Sequence, residues 1–121
     1  MNHLGENILP WLNAALDLSY RRNSIIAGNL ANVDTPNYAP RDIEFEDVLI
    51  SSLESKESAE SMPSPRAIVR MDNEAGLDGN RVDIDQEIAN QASNKLFYEI
   101  SSSVLQRKLA LLKYSIDAGG M

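Results

Sequence analysis

Asn29-Leu30-Ala31-Asn32-Val33-Asp34-Thr35-Pro36-Asn37-Tyr38 is the stretch on which the chain turns, with a helical pattern running in and an irregular, proline-bearing segment running out. Pro36 fixes its own φ and pushes Thr35 towards extended geometry, so a helix arriving from upstream ends by about Asp34. Asn37 sits where a turn often needs positive φ, which Asn tolerates better than any residue except Gly. Thr35-Pro36-Asn37-Tyr38 therefore reads as a type II or type I turn with Pro at its second position. Asn29, Asn32 and Asp34 add side chains that can bond backbone groups where the helix frays. On local chemistry alone the stretch is a helix stop followed by a loop.

Upstream, Ile8, Leu9, Trp11, Leu12, Ala15, Leu16, Leu18, Ile25, Ile26, Leu30 and Val33 recur at spacings of three and four, as on one face of a helix. The helix is placed over residues 7–34. Its regular part starts near Ile8 to Trp11, because Pro10 is tolerated only in a first turn. Such a helix, roughly 35 to 40 Å long, needs a partner to be stable. Tyr20-Arg21-Arg22-Asn23 interrupts it with polar residues that read as helix surface or as contacts to acidic neighbours.

Residues 35–82 form a polar middle. Ile43, Phe45, Val48 and Leu49 supply anchors, and a short strand or a helical turn fits Asp42 to Ile50 equally well. Ser51 to Pro65 is rich in Ser, Glu, Lys and Pro, and too poor in large apolar residues to offset its ordering entropy. It is expected to be mobile in the isolated protein. Ala67-Ile68-Val69-Arg70-Met71 suits one short strand, and a hairpin in this region stays open. Asp78-Gly79 is a good tight-turn pair.

A second long helix is placed over 83–117. Asp83 is its N-cap, Gln86 completes a capping box, and Asp85 and Glu87 put negative charge in its first turn. Ile88, Ala92, Leu96, Phe97, Ile100, Val104, Leu105, Leu109, Leu111, Leu112 and Ile116 form its apolar face, and Gly119-Gly120 stops it. The fold class is thus mainly α. Two long terminal amphipathic helices form an antiparallel pair or coiled coil, with a partly disordered middle, in a single domain over 1–121. A two-helix pair has a thin core, so apolar faces left over call for other subunits.

Composition narrows function. Eighteen acidic against eleven basic residues, net −7, argue against a duplex-DNA binder. With no cysteine, neither disulfides nor thiolate metal sites contribute. The N-terminus lacks the charged and apolar regions of a secretory signal peptide, and runs such as Leu109-Ala110-Leu111-Leu112 fall far short of the roughly 20 residues that span a bilayer. No catalytic constellation emerges, since a serine nucleophile would have only His3 as base. Asp78-x-Asn80-x-x-Asp83 resembles the start of a calcium loop, but Asp83 stands where the turn glycine belongs and Ala89 where the bidentate Glu belongs. It reads instead as a solvated acidic loop capping a helix. No enzyme activity, cofactor, metal, nucleic acid or small-molecule substrate is expected.

The decapeptide then carries a resemblance. It is similar to the N-x-A-N-x-x-T-P-G-Y signature of the bacterial flagellar axial proteins, the rod, hook and hook-junction subunits. Asn29, Ala31, Asn32, Thr35, Pro36 and Tyr38 match, and Asn37 stands for the usual Gly. Arg41-Asp42-Ile43-Glu44-Phe45 resembles the segment after the turn in the proximal rod members of that family. Asp78-Gly79-Asn80-x-Val82-Asp83 with Glu87, Leu96-x-Tyr98, Arg107-Lys108 and Leu112-Lys113-x-x-Ile116 resemble their C-terminal helix. The short length also fits, since hook and distal rod proteins carry an added central domain.

The resemblance implies a structural subunit of the basal body, exported by the flagellar type III apparatus without a cleaved signal. It implies assembly in the periplasmic rod, with other rod subunits, the inner-membrane ring, export-gate proteins and further copies of itself as partners. Assembly would order the termini by burying Ile8, Trp11, Leu12, Ile26 and Leu30 against Leu96, Ile100, Val104, Leu111, Leu112 and neighbours. A small cytosolic helical adaptor or secretion chaperone is the alternative from another class.

Overall fold

In a computed structural model of the chain, residues 3–55 and 67–119 are described. In chain order they form helix α1 (His3–Ala31), strand β1 (Arg41–Ile43), helix α2 (Phe45–Ser55), strand β2 (Ala67–Val69) and helix α3 (Ile84–Gly119). At 1.5 Å per residue, α1 is about 43 Å long and α3 about 54 Å. They pack as an antiparallel pair, because Asn29 bonds Glu87 while Ser19, earlier on α1, bonds Asn94, later on α3.

The N-terminal helix starts earlier than expected, and Pro10 lies inside it. Proline's φ is already helical, so the helix loses the one hydrogen bond that an amide at position 10 would have given to residue 6. It also ends earlier, at Ala31 rather than Asp34. The Asn32 amide is shared between the carbonyls of Gly28 (3.1 Å) and Asn29 (3.2 Å), and the Asn32 side chain donates to the Gly28 carbonyl at 2.7 Å. Val33 then donates to Leu30, so the last turn tightens and stops.

Both readings of Asp42 to Ile50 are realised in succession, as β1 and then α2. Helix α2 runs on through Ser55, so residues 51–55 of the expected mobile segment are helical. Glu46 and Asp47 lie in its first turn, where the dipole favours them. Residues 56–65 of that expectation fall outside the described residues. The expected strand at 67–71 is β2, antiparallel to β1 with Asp42 opposite Ile68.

The core lies where these elements meet. Ala15, Leu18, Ile43 and Leu49 are buried together, with Trp11, Ile25, Phe45, Val48 and Phe97 against them. Part of the apolar face of α1 is thus covered by β1, α2 and the Phe97 ring of α3, while Leu12 and Ile26 are buried outside this cluster. Phe45 and Phe97 meet edge to face, with centroids 5.0 Å apart.

What α3 turns towards α1 is polar. Its buried residues are Glu87, Asn94 and Ser101, one every seven positions, as along one seam of a packed helix. Asn94 crosses the seam to donate to the Ser19 carbonyl at 2.8 Å. Among the apolar residues assigned to α3's face, Phe97 and Leu105 are half-buried, whereas Leu96, Ile100, Val104, Leu109, Leu111, Leu112 and Ile116 are exposed.

Candidate functional site

The decapeptide and the loop before α3 build one polar module. Tyr38 donates its amide to the Thr35 carbonyl, and Asn37 has φ 62°. Positive φ at the third position makes Thr35–Tyr38 a type II turn. The side chain of Thr35 donates to Asn32 Oδ1 at 3.0 Å, tying the turn back to the helix end. A second turn, closed by the Gly79 amide on the Gly76 carbonyl (2.9 Å), lies directly against it. Asn37 donates to the Asp78 carbonyl (3.0 Å), and Arg81 donates to the Tyr38 carbonyl (2.9 Å).

Gly79 is required there twice over. Its φ is +80°, and a Cβ would stand 2.1 Å from Asn37 Oδ1. Asn80, nearly buried, donates through one nitrogen to the carbonyls of Asn32 (2.9 Å) and Thr35 (2.7 Å) and accepts from the Val82 amide. It gives a second donor to two carbonyls of the turn after α1, which already accept the amides of Thr35 and Tyr38.

Beneath the turns lies a fully buried hub. Asn29 donates to the Arg41 carbonyl (2.8 Å) and to Glu87 Oε2 (3.1 Å), and accepts from the Arg41 amide (2.9 Å) and the Tyr38 hydroxyl (3.1 Å). Every donor and lone pair of its amide is in use. Towards β1 it behaves as a strand neighbour would, exchanging both bonds with one residue. Glu87 is completely buried, held by Asn29 on one oxygen and by the Arg70 guanidinium on the other. Arg70 in turn donates its amide to the carbonyl of buried Pro40 at 2.8 Å. Having no N–H, Pro40 presents only that carbonyl for satisfaction.

Arg22 forks onto Asp42 through Nε (3.1 Å) and Nη2 (3.2 Å) and stacks over Phe45, while Arg21 pairs with Asp17. These are the acidic neighbours expected for the two arginines. The Asp83 cap is present, its Oδ1 accepting from the amides of Asp85 and Gln86. The capping box is not completed: the Gln86 side chain accepts from Asn73 instead, at 2.7 Å. Competition from that nearby amide donor redirects it. The calcium-like triplet is likewise committed elsewhere, Asp78 to the Asn80 amide, Asn80 to the end of α1 and Asp83 to the start of α3.

The structure brings Asn29, Asn32, Thr35 and Tyr38 together in this module, with Pro36 exposed at its rim and Ala31 exposed on the last turn of α1. Leu12 and Ile26 are buried, and Ile8, Trp11 and Leu30 half-buried. Leu96, Ile100, Val104, Leu111 and Leu112 are 38–64% exposed within the single chain. Sequence reasoning assigns Arg70 no role and reads Glu87 as first-turn charge and as part of the family resemblance, not as a buried partner of Asn29. The signal for Glu87 is its seven-residue step to Asn94 and Ser101. Arg70, in a short strand-like segment, carries none.

Among the described residues no helix is long and apolar enough to cross a membrane, and no group of three or more metal-ligating side chains could hold an ion. No family model matches the chain. Curated relatives do. The flagellar basal body rod protein FlgB of Salmonella typhimurium is 34% identical over 129 residues, covering 92% of this chain and 94% of that protein. Its namesake in Escherichia coli is 30% identical with the same coverage, and that of Cereibacter sphaeroides 33% over 84% of this chain and 88% of its own. The alignments run through the whole module, from the turn at the end of α1 to the seam of α3, and on that basis the chain belongs to the FlgB family of flagellar basal body rod proteins.

Proposed function

We propose that this chain is a non-enzymatic structural subunit of the proximal rod. It is exported by the flagellar type III apparatus without a cleaved signal and assembles by helix packing onto rod neighbours, the inner-membrane ring and the export gate. The observation that carries the reading is the inversion of α3. Its polar residues Glu87, Asn94 and Ser101 face inward while Leu96, Ile100, Val104 and Leu111 face out. A helix with that arrangement keeps its hydrophobic driving force for association, at roughly 25 cal/mol per Å² of apolar surface covered. Asn32, Thr35, Pro36 and Tyr38 set the direction in which the chain leaves the helical layer. Ile8, Trp11 and Leu30, half-buried in the single chain, complete the surfaces that neighbouring subunits order, while Leu12 and Ile26 are already buried within it.

The test is mass spectrometry of basal bodies purified from the source cells and washed with detergent and salt. Retention of this chain with the rod and inner-membrane ring is the expected result. Its absence from intact basal bodies, with the chain abundant in the cytosol, would overturn the reading.

A further inference from the structure

The two ends of α3 carry surfaces of opposite character. At the end of the helical pair where α3 begins, Met71, Leu77 and Ile84 are exposed, Leu77 entirely so. Asp72, Glu74, Asp78 and Asp85 stand around them, and a groove of about 630 Å³ runs past Glu74, Asp83 and Asp85, with Arg81, whose guanidinium donates to the Asn73 carbonyl, as its one cation. At the other end Leu109, Leu111, Tyr114 and Ile116 are exposed beside Arg107, Lys108 and Lys113, with Asp117 as the one acid over 101–119. Among the described residues, none of Asp72, Glu74, Asp85, Arg107 and Lys113 forms an ion pair. An apolar centre with a charged rim is the anatomy of a docking surface, and here the rims have opposite signs. The span from Asp85 to Lys113 along α3 is roughly 40 Å, so one chain cannot join its own two ends.

We propose that these surfaces dock on one another between copies of this chain, the basic C-terminal part of α3 of one copy seating on the acidic end of the next. This deepens the rod-subunit reading and rests on it. Two acidic ends repel, and so do two basic ends, so charge selects the unlike pairing. The two surfaces differ, so a contact made once between two copies is heterologous and leaves each copy with one free end of each kind. Repeated, it extends as an open string.

The chain has no cysteine, which gives a clean cross-linking test on the full-length protein. Mixing a Glu74→Cys chain with a Lys113→Cys chain under oxidation should give mixed disulfide dimers in about tenfold excess over either like-with-like dimer. The excess should shrink between about 0.05 M and about 0.5 M salt. Arg107→Glu on the Lys113→Cys chain should cut the mixed yield several-fold, and Asp72→Lys on the Glu74→Cys chain should restore it. All these positions are exposed, and circular dichroism of each variant checks that it keeps its helices. A chain carrying both cysteines should give a ladder beyond the dimer.

Equal yields for all pairings, or indifference to Arg107→Glu, would overturn the docking. So would a double-cysteine product that stops at a dimer. Basal-body mass spectrometry separates the two claims. The chain present in basal bodies without mixed cross-links refutes the docking alone, whereas its absence from them refutes the rod reading.

Discussion

Replacing Asn29 with alanine removes the side chain on which the polar module closes. Four hydrogen bonds are lost, to the Arg41 carbonyl and amide, Glu87 Oε2 and the Tyr38 hydroxyl. At about 1 kcal/mol net per bond, the bonds alone amount to about 4 kcal/mol. Glu87 is completely buried and would keep Arg70 as its one partner, which adds to the cost because an under-satisfied buried charge retains its desolvation penalty. The cavity left by the amide admits no more than a water or two, which would recover part of the loss. A net cost of about 3–5 kcal/mol follows, a large share of the total stability of a domain this size. The assay is native-state hydrogen exchange on the full chain, read at the amides of Asn37, Arg41, Arg70 and Arg81, each bonded across the module. With about 1.4 kcal/mol per tenfold, their exchange should accelerate by about 100-fold or more. Protection of Arg41 and Arg81 within about threefold of the parent chain would refute the claim that Asn29 organises the module.

Gly79→Ala should lower stability by about 1–3 kcal/mol, since it meets both a positive φ and Asn37 Oδ1. Gly28→Ala, inside α1 with open space at its Cβ, should raise it by up to about 1 kcal/mol. Thermal melts of the two variants should therefore shift in opposite directions. Arg70→Ala should cost about 3–5 kcal/mol by leaving the buried Glu87 charge without its cation, and adding Glu87→Gln should recover part of that in urea titrations. Pro36→Ala should be exported at the normal level but be poorly incorporated into basal bodies; parental rod yield would remove Pro36 from the assembly role. Ile100→Glu, at an exposed position, should change monomer stability by no more than about 0.5 kcal/mol while abolishing swarming in soft agar, and normal swarming would count against the exposed face of α3 as an assembly surface.

Features governed by neighbours in the chain are legible in the residues themselves. Asn37 adopts positive φ and Gly79 sits at its turn because Pro36 and Asp78 prescribe those turns locally. Asp83 caps α3 because an Asx side chain ahead of a helix has its donors within reach. Pro10 lies deeper in α1 than local rules allow, at a cost of about 3 kcal/mol in a lost hydrogen bond and a ring clash, which the packing of Leu12, Ala15 and Leu18 just beyond it offsets. Helix α2 runs further than its composition suggests, since Val48 and Leu49 anchor its start in the core and the helix propagates from there. The Asn29 hub is out of reach for a different reason. Its partner Glu87 lies 58 residues away, and nothing in either residue's surroundings announces the other.

The orientation of α3 exposes what periodicity can and cannot decide. Spacing identifies an apolar face, but whether that face is covered depends on how much apolar surface the partner has to offer. On α1 that surface is already engaged: Ala15 and Leu18 pack on Ile43 and Leu49, with Trp11 and Ile25 alongside. The side of α1 left for α3 carries the Ser19 carbonyl and Asn29, both met by polar side chains. An apolar stripe of α3 turned inward would take from buried Asn29 its Glu87 partner, at about 1–3 kcal/mol, whereas the Ser19 carbonyl, inside α1, would keep its helical bond; the polar seam is thus favoured chiefly through Asn29. A seam of this kind specifies alignment more than it adds stability, because exchanging water for protein hydrogen bonds is nearly neutral. The stripe of Leu96, Ile100, Val104 and Leu111 is then exposed as a consequence of how α1 commits its own face. Any partner that covers it gains hydrophobic free energy that the isolated chain forgoes. Asn94→Leu tests this directly: if the seam sets the register, the substitution should disturb the pairing of α3 with α1, read as lost protection at Asn37 and Arg81, even though it adds apolar surface. Unchanged protection with a higher melting temperature would mean that the seam does not set the register.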